Sequence, residues 1–315
     1  MKISKILIFF WVLPFAFAEL RVGFYNSTCE SAETVVHDVL QRRFSEDRSI
    51  AAALLRMHFH DCFVKGCDAS ILIDSTTNRT SEKDAVPNKT VRGYEVIDEV
   101  KKILEEACPS TVSCADIIAL ATRDAVALAG GIRYMIPTGR RDGLLSDPSL
   151  VRVPGPSLSV AGALQFFTAK GLTLDDMATL LGAHTVGSAH CSFFQNRLTN
   201  GVDPTMDPAL ELRLLQICGS NSNSSDPSVF LDQNSSFAFD NGFYKEVMMR
   251  RGILHLDQQL ALDNMTRGVV ESYAANDSDF QTKFAAAMVK MGAIDVLLDD
   301  EGEVRANCRQ FNNPL

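Results

Sequence analysis

The stretch RMHFHDCFVKGCDAS, residues 56–70, contains two histidines, two aspartates, two cysteines, an arginine and a lysine within fifteen residues. Arg56 and His60 are four positions apart in a helical pattern, so their side chains lie on one face of a helix, one turn apart. A guanidinium beside an imidazole keeps the imidazole neutral, and it offers a fixed cation for developing negative charge. The pair therefore indicates proton transfer, although a lone histidine at a helix end is more often structural.

The same stretch could instead bind a metal ion. Structural zinc sites usually combine two clusters of cysteine or histidine ligands, and Cys62 and Cys67 have no matching second cluster. Oxygen donors, which suit calcium, occur at Asp61, Val64, Gly66, Asp68 and Ser70. From these residues alone, a calcium loop and a solvated acidic loop are equally good interpretations.

A second group of polar residues lies far along the chain. His184, in MATLLGAHTVGSAHC, is near the end of a predicted helix of small apolar residues, where a histidine is ordinarily a core residue. Another loop rich in oxygen donors follows, with Asp232, Ser235 and Asp240. Asp257 has apolar neighbours, and a buried carboxylate needs a partner, as does an imidazole that binds a metal.

Helices must position these groups, because apolar residues recur at intervals of three and four over most of the chain. The clearest segments are residues 31–47, 91–108, 113–131, 159–171 and 279–294. Ser113 and Thr173 are helix-start signals, and long alternating segments are nearly absent, so we expect an all-α fold. The Pro/Gly-rich residues 137–156 form the longest irregular connection and the best candidate for a boundary between two lobes.

The ends and the composition indicate secretion. Residues 1–18 combine two lysines, an apolar run too short to span a bilayer, and small residues, which is the pattern of a signal peptide. Without this leader the net charge changes from −9 to about −11, which disfavours binding to nucleic acid. No later segment is apolar over the roughly 20 residues that a membrane span needs. The remaining eight cysteines predict four disulfides, whose pairing cannot be read from spacing.

In this order, the motifs resemble those of the secretory plant haem peroxidases, class III. They are the stretch at 56–70 followed by EKDAVPN, SCADIIAL, GRRDG, GAHTVG, FDNGFY and NCR, and they cover essentially the whole chain after the leader. The resemblance implies one haem peroxidase domain over residues 19–315. Its haem b (protohaem IX) would lie between a distal lobe, about 19–155, and a proximal lobe, about 156–300, with the C-terminal segment returning to the distal lobe.

The resemblance also assigns roles on the distal side. His60 would carry the proton between the two oxygens of hydrogen peroxide, and Arg56 would stabilise negative charge as the O–O bond breaks. Asn88 would accept a hydrogen bond from the other nitrogen of His60, and Phe59 would form a wall of the pocket.

On the proximal side, the resemblance makes His184 the ligand of the haem iron, with Asp257 accepting its N–H. Pro154 would lie beside the exposed haem edge, where phenolic donors bind. The only tryptophan, Trp11, belongs to the leader, so we expect small-molecule reductants rather than transfer through an indole.

Two calcium ions are also implied by the family pattern. The distal set is Asp61, Val64, Gly66, Asp68 and Ser70, with Glu82 linked through water. The proximal set is Thr185, Asp232, Ser235, Ala238 and Asp240. The implied disulfides are Cys29–Cys108, Cys62–Cys67, Cys114–Cys308 and Cys191–Cys218.

The chain is thus expected to be a secreted, monomeric haem peroxidase of the cell wall or apoplast. It would reduce hydrogen peroxide to water through a ferryl intermediate and oxidise phenolic donors one electron at a time. An adhesive wall protein and a radical-generating mode of the same haem are the alternatives. Two departures from the family pattern, Glu30 and Leu181, lie away from the predicted chemistry. Sequons occur at Asn26, Asn78, Asn88, Asn223, Asn234, Asn264 and Asn276, of which Asn88 is expected to stay unmodified.

Overall fold

The protein is described by a computed structural model over residues 19–199, 201, 203–219 and 226–313. The predicted leader, residues 1–18, and the sequon at Asn223 lie outside these residues. The helices of the first half are α1 (Ala32–Glu46), α2 (Ile50–Val64), α3 (Tyr94–Ala107) and α4 (Cys114–Leu128). Those of the second half are α5 (Val160–Ala169), α6 (Leu174–Leu181), α7 (Asn196–Thr199), α8 (Pro208–Cys218), α9 (Gly242–Met248), α10 (His255–Leu262), α11 (Arg267–Ala275) and α12 (Asp277–Met291).

The all-α prediction is confirmed. Within the described residues, one short antiparallel pair supplies the strands, β1 (Ser188–His190) and β2 (Ser228–Phe230). The helix-start signals act as predicted, because the Ser113 hydroxyl accepts a hydrogen bond from Asp116 N, and Thr173 and Asp176 form a capping box. None of the helices in the described residues is both long and apolar enough to cross a membrane.

The core is formed mainly by helix packing around α4, which is buried along almost its whole length. Helices α1 and α2 pack on α4, and α6 packs on α12. One hydrophobic cluster extends from Tyr25 to Cys308, and a smaller one surrounds the two strands, between Ala189 and Leu254. A rigid helical frame therefore surrounds the end of α2, where Arg56 and His60 lie.

The four disulfides are those that the resemblance implies. Cys62–Cys67 closes a loop at the C-terminal end of α2, whereas Cys114–Cys308 joins the first residue of α4 to the C-terminal segment. The other two bonds are Cys29–Cys108 and Cys191–Cys218.

The irregular connection that begins at residue 137 is fixed at its start by buried polar contacts. Arg140 donates to Asp116 Oδ1 at 2.7 Å and to Gly292 O at 2.7 Å. Asp142 accepts from the backbone N–H of Cys114 and of Arg305, at 3.1 and 2.9 Å. This connection is therefore tied both to α4 and to the C-terminal segment.

Candidate active site

Helix α2 places Arg56 and His60 on one face, as their spacing predicts. Arg56 Nε donates to His60 Nε2 over 3.3 Å, and His60 Nδ1 lies 2.6 Å from Asn88 Oδ1. The other end of the Asn88 amide donates to Glu82 O at 2.8 Å, which turns its oxygen toward the imidazole. These contacts require a neutral imidazole with its proton on Nδ1 and its lone pair on Nε2.

The surroundings keep His60 neutral over a wide pH range. Burial and the charge of Arg56 lower the pKa of His60 to about 4, against an opposing effect of the hydrogen bond to Asn88. The side chain is 6% exposed. At neutral pH this group is therefore a base rather than a cation.

Arg56 is held as a fixed cation beside this base. Its guanidinium donates to Thr90 O, Thr90 Oγ1 and Pro87 O, at 3.1, 2.9 and 2.8 Å. Burial lowers its pKa, but an arginine remains charged at any physiological pH. Sequence reasoning did not identify Thr90 and Pro87, whose contacts are long-range and leave no local pattern.

Phe59 is half-buried next to His60, and its ring packs against two other aromatic rings. The centroid of Phe63 lies 4.2 Å from that of Phe59, and Phe167 lies 4.9 Å from Phe63. The spacing of four between Phe59 and Phe63 could have predicted this contact, whereas Phe167 comes from α5. The wall predicted for the pocket is thus part of a packed aromatic cluster.

His184 lies in a 3-10 turn, Gly182–Val186, that directly continues α6. Its Nδ1 is 2.9 Å from Asp257 Oδ1, on α10, and Asp257 itself is 1% exposed. Burial alone would lower the pKa of His184, but the charge and hydrogen bond of Asp257 outweigh it and raise the pKa. Because Nδ1 is engaged, Nε2 is the nitrogen that can bind a metal.

The two histidines belong to one site. The turn that carries His184 packs against α2, and the charge of Arg56 is close enough to act on the His184 imidazole. The His184 side chain is 31% exposed although most groups around it are buried, so its ring opens into a gap. A partly exposed imidazole that is hydrogen-bonded to a buried carboxylate, in a turn packed on the helix of the base and the cation, fits a haem.

The distal acidic loop gathers buried carboxylates, and the charge of Arg305 offsets only part of the effect of burial on the pKa values of Asp68 and Glu82. Asp61 Oδ1 and both carboxylate oxygens of Glu82 are buried without a hydrogen-bond partner. Burial, together with the neighbouring Asp68 carboxylate, raises the pKa of Asp61 and raises that of Glu82 to about 8. Ser70 donates to Asp68 Oδ1 at 2.5 Å, so all four side chains meet at one place. Such a group of buried oxygens fits a bound cation.

Val64 and Gly66, the other two predicted distal ligands, border the same loop. Val64 is the last residue of α2, and its carbonyl accepts from Lys170 Nζ at 3.2 Å. Gly66 has φ +120°, and a Cβ there would overlap the backbone of Asp295. This position therefore requires glycine.

The proximal loop converges in the same way. Thr185 Oγ1 lies 3.3 and 3.2 Å from Asp232 Oδ2 and Asp240 Oδ1, and Ser235 Oγ lies 2.9 and 3.1 Å from the same two oxygens. A Cβ at Gly242 would overlap Asp232 Oδ2, so glycine leaves this oxygen cluster its space. Ala238, the fifth predicted ligand, is held by a hydrogen bond from its N–H to Ser235 O at 2.8 Å.

Pro154 is half-buried in the connection before α5, and nearby Pro156 O accepts from Leu256 N at 2.9 Å, next to Asp257. The binding of phenolic electron donors beside Pro154 stays a prediction.

The ligand atoms of His58, Cys62 and Cys67 lie within 4.8 Å of one another, as in a zinc site, but the two cysteines are joined in a disulfide. No thiolate is therefore available there for zinc.

Comparison with known proteins supports the same interpretation of this geometry. The model of the peroxidase family matches residues 36–276. Peroxidase 57 of Arabidopsis thaliana is 54% identical over 316 residues, which cover 99% of this chain and 98% of the relative. Peroxidase 44 of the same plant is 54% identical, with 97% of each chain covered. Peroxidase 5 of Vitis vinifera is 45% identical, with 96% of each chain covered.

Proposed function

The chain belongs to the peroxidase family, as a plant class III member that uses haem and hydrogen peroxide to oxidise donors, and from this premise we propose which side chains carry the reaction. The observation that carries the proposal is the neutral His60 imidazole, held between Arg56 and Asn88, with Arg56 close enough for its charge to act on His184.

His184 Nε2 would hold the iron of haem b. When bound, the haem supplies the redox chemistry, since it gives up electrons to peroxide and takes them back from donors. Asp257 accepts the Nδ1 hydrogen bond, which fixes the tautomer and makes the imidazole a more electron-rich ligand.

His60 moves the proton. Its Nε2 lone pair accepts the proton from one oxygen of hydrogen peroxide and returns it to the other oxygen, which leaves as water. The Asn88 bond to Nδ1 keeps Nε2 as the accepting nitrogen and stabilises the imidazolium while it carries the proton. The Arg56 guanidinium lies 3.3 Å from the same nitrogen, where it stabilises negative charge on the leaving oxygen.

Two calcium ions would occupy the acidic loops. The distal ion would bind beside Asp61, the residue after the base, and the proximal ion beside Thr185, the residue after the iron ligand. The distal loop has buried carboxylate oxygens without hydrogen-bond partners, and the proximal loop brings Asp232 and Asp240 together around two hydroxyls, which supports a bound cation in each. The ions would thereby fix the two histidines relative to each other.

The donors and the destination are inferred from chemistry. Small phenols would reach the site near Pro154 and give up one electron each, and Phe59 would keep them from the reacting oxygen.

The leader at residues 1–18 and four disulfides support export of a monomer to the cell wall or apoplast. The division into a distal lobe up to about residue 155 and a proximal lobe after it remains part of this proposal.

The test follows the haem absorption of purified holoprotein after one equivalent of hydrogen peroxide. Wild-type protein should change its spectrum rapidly and return to the starting spectrum when a phenol is added. His60→Ala should react at least 100-fold more slowly, because general acid–base catalysis contributes roughly 10²–10⁴-fold. His37→Ala is the matched control, since His37 is 40% exposed on α1, outside the site. Equal rates for His60→Ala and wild type would contradict the proposal.

A further inference from the structure

A chain of aromatic rings leads away from His184 through the proximal helices. The His184 ring is 5.8 Å from Phe243, Phe243 is 5.1 Å from Tyr244, and Tyr244 is 5.2 Å from Tyr273, measured between ring centroids. Phe280 braces the chain at 5.0 Å from Tyr244 and 5.8 Å from Tyr273. Each step has the spacing of directly packed rings, so the chain is continuous.

The distal side has no comparable chain. The rings next to His60 are Phe59, Phe63 and Phe167, and a benzene ring gives up an electron far less readily than a phenol. All five tyrosines of the chain lie in the described residues. Among the ring contacts of those residues, the ones that start at His184 reach only Tyr244 and Tyr273. Within the described residues, packed rings therefore connect His184 to a phenol along one route, through Phe243.

The charges around Tyr273 favour it as the end of this path. Its hydroxyl lies 2.8 Å from Thr179 Oγ1. Burial raises the pKa of the Tyr273 phenol, and the carboxylates of Asp279, Asp175 and Asp176 raise it further, against the opposing effect of its hydrogen bond with Thr179. Negative charge near a ring stabilises the loss of an electron from it.

Tyr94 offers the opposite environment. Lys83 Nζ and the Arg309 guanidinium lie over its ring, at 4.4 and 5.0 Å from the centroid, and its buried hydroxyl has no hydrogen-bond partner. Two cations close to the ring oppose the loss of an electron from it, and the hydroxyl has no acceptor for its proton. Tyr94 is half-buried, whereas the other four tyrosines are buried. If exposure decided which tyrosine is oxidised, it would be Tyr94, so Tyr94 is the competing candidate.

We propose that Tyr273, reached through Phe243 and Tyr244, is a redox-active tyrosine that supplies an electron to the haem site when peroxide is present without a donor. The inference rests on the proposed binding of haem at His184. One electron passes from the phenol to the cofactor, which peroxide has left two electrons short. The phenolic O–H bond breaks, its proton passes through the Thr179 hydroxyl to a neighbouring carboxylate, and a neutral tyrosyl radical remains. A later donor phenol returns one electron and one proton, so the chain removes oxidising equivalents that would otherwise damage the pocket.

The test is electron paramagnetic resonance of holoprotein, freeze-quenched after one equivalent of hydrogen peroxide without donor. Wild-type protein should show a tyrosyl radical. In Tyr273→Phe, which keeps the ring and loses only the hydroxyl, the signal should fall at least tenfold. Tyr94→Phe is the matched control and should keep the full signal.

The haem absorption of the same samples separates this inference from the proposed function. If the absorption changes with peroxide but wild type shows no tyrosyl radical, the inference is wrong and the peroxidase assignment stands. An unchanged signal in Tyr273→Phe, or its loss in Tyr94→Phe, would also overturn the inference. If the absorption itself does not respond, the proposed function fails and the inference fails with it.

Discussion

The hydrogen bond between His60 and Asn88 allows the sharpest test of the proposed site. Asn88→Val removes the acceptor 2.6 Å from His60 Nδ1 and keeps a side chain of similar size. As His60 takes a proton, this bond becomes one to a charged group, which is worth roughly 1.5–3 kcal/mol. We therefore expect the reaction with hydrogen peroxide to slow by about 10- to 150-fold at pH 7.

The pH dependence gives the same variant a second signature. His60 acts in its neutral form, and its pKa is about 4, so the wild-type rate should be constant above about pH 5 and fall below it. The Asn88 bond raises this pKa, so its loss moves the fall to lower pH. Near pH 4 half of the wild-type base is protonated while the variant base is still neutral. The gap between the two rates should therefore narrow at pH 4.

Stopped-flow absorption of the haem measures both effects, and circular dichroism checks that the variant folds. Ser146→Ala is the matched control, because Ser146 Oγ accepts from Glu82 N at 3.0 Å and has no hydrogen bond to His60. That change loosens the Glu82 segment, to which Asn88 is also bonded. A wild-type rate in Asn88→Val, or an equal loss in Ser146→Ala, would refute the role given to the Asn88 oxygen.

Three other outcomes are expected. His184→Ala should lose axial ligation, so that purified protein has at least tenfold less haem absorption than wild type; full haem content with a wild-type spectrum would contradict the assignment. Gly242→Ala should place a Cβ against Asp232 Oδ2 and lower the bound calcium from two ions to one per protein, measured by atomic absorption, so two retained ions would count against the proximal site. Peptide mass spectrometry of secreted protein should find Asn88 without glycan, because its amide is buried and bonded, whereas the exposed Asn78 can be modified; an occupied Asn88 in active enzyme would rule out its bond to His60.

The parts of the fold that depend on local signals could be predicted from the sequence. Ser113 and Thr173 act on backbone N–H groups within three residues, so they mark the starts of α4 and α6. The strands could not be predicted, because each has only three residues, too few for an alternating pattern to be distinctive. Arg56 and His60 also follow from local spacing, since both lie on one helix.

The remainder of the site depends on contacts between distant segments. His184 and Asp257 are 73 residues apart, and only the resemblance to known peroxidases linked them. The contact between Tyr244 and Tyr273 arises because α9 packs on α11, and no motif around either tyrosine indicates it. Helix packing, rather than spacing in the sequence, therefore decides which of the five tyrosines is connected to His184 through ring contacts.

The bond between Cys114 and Cys308 has a consequence for synthesis of the chain. Its sequence separation is 194 residues, and Cys308 is the last cysteine to leave the ribosome. On the proposed route of export, Cys114 would stay without its native partner until Cys308 is synthesised, and it is only six positions from Cys108. Its thiolate could then attack an earlier disulfide, such as Cys29–Cys108. Correct pairing would require this exchange to stay reversible until the last segment arrives.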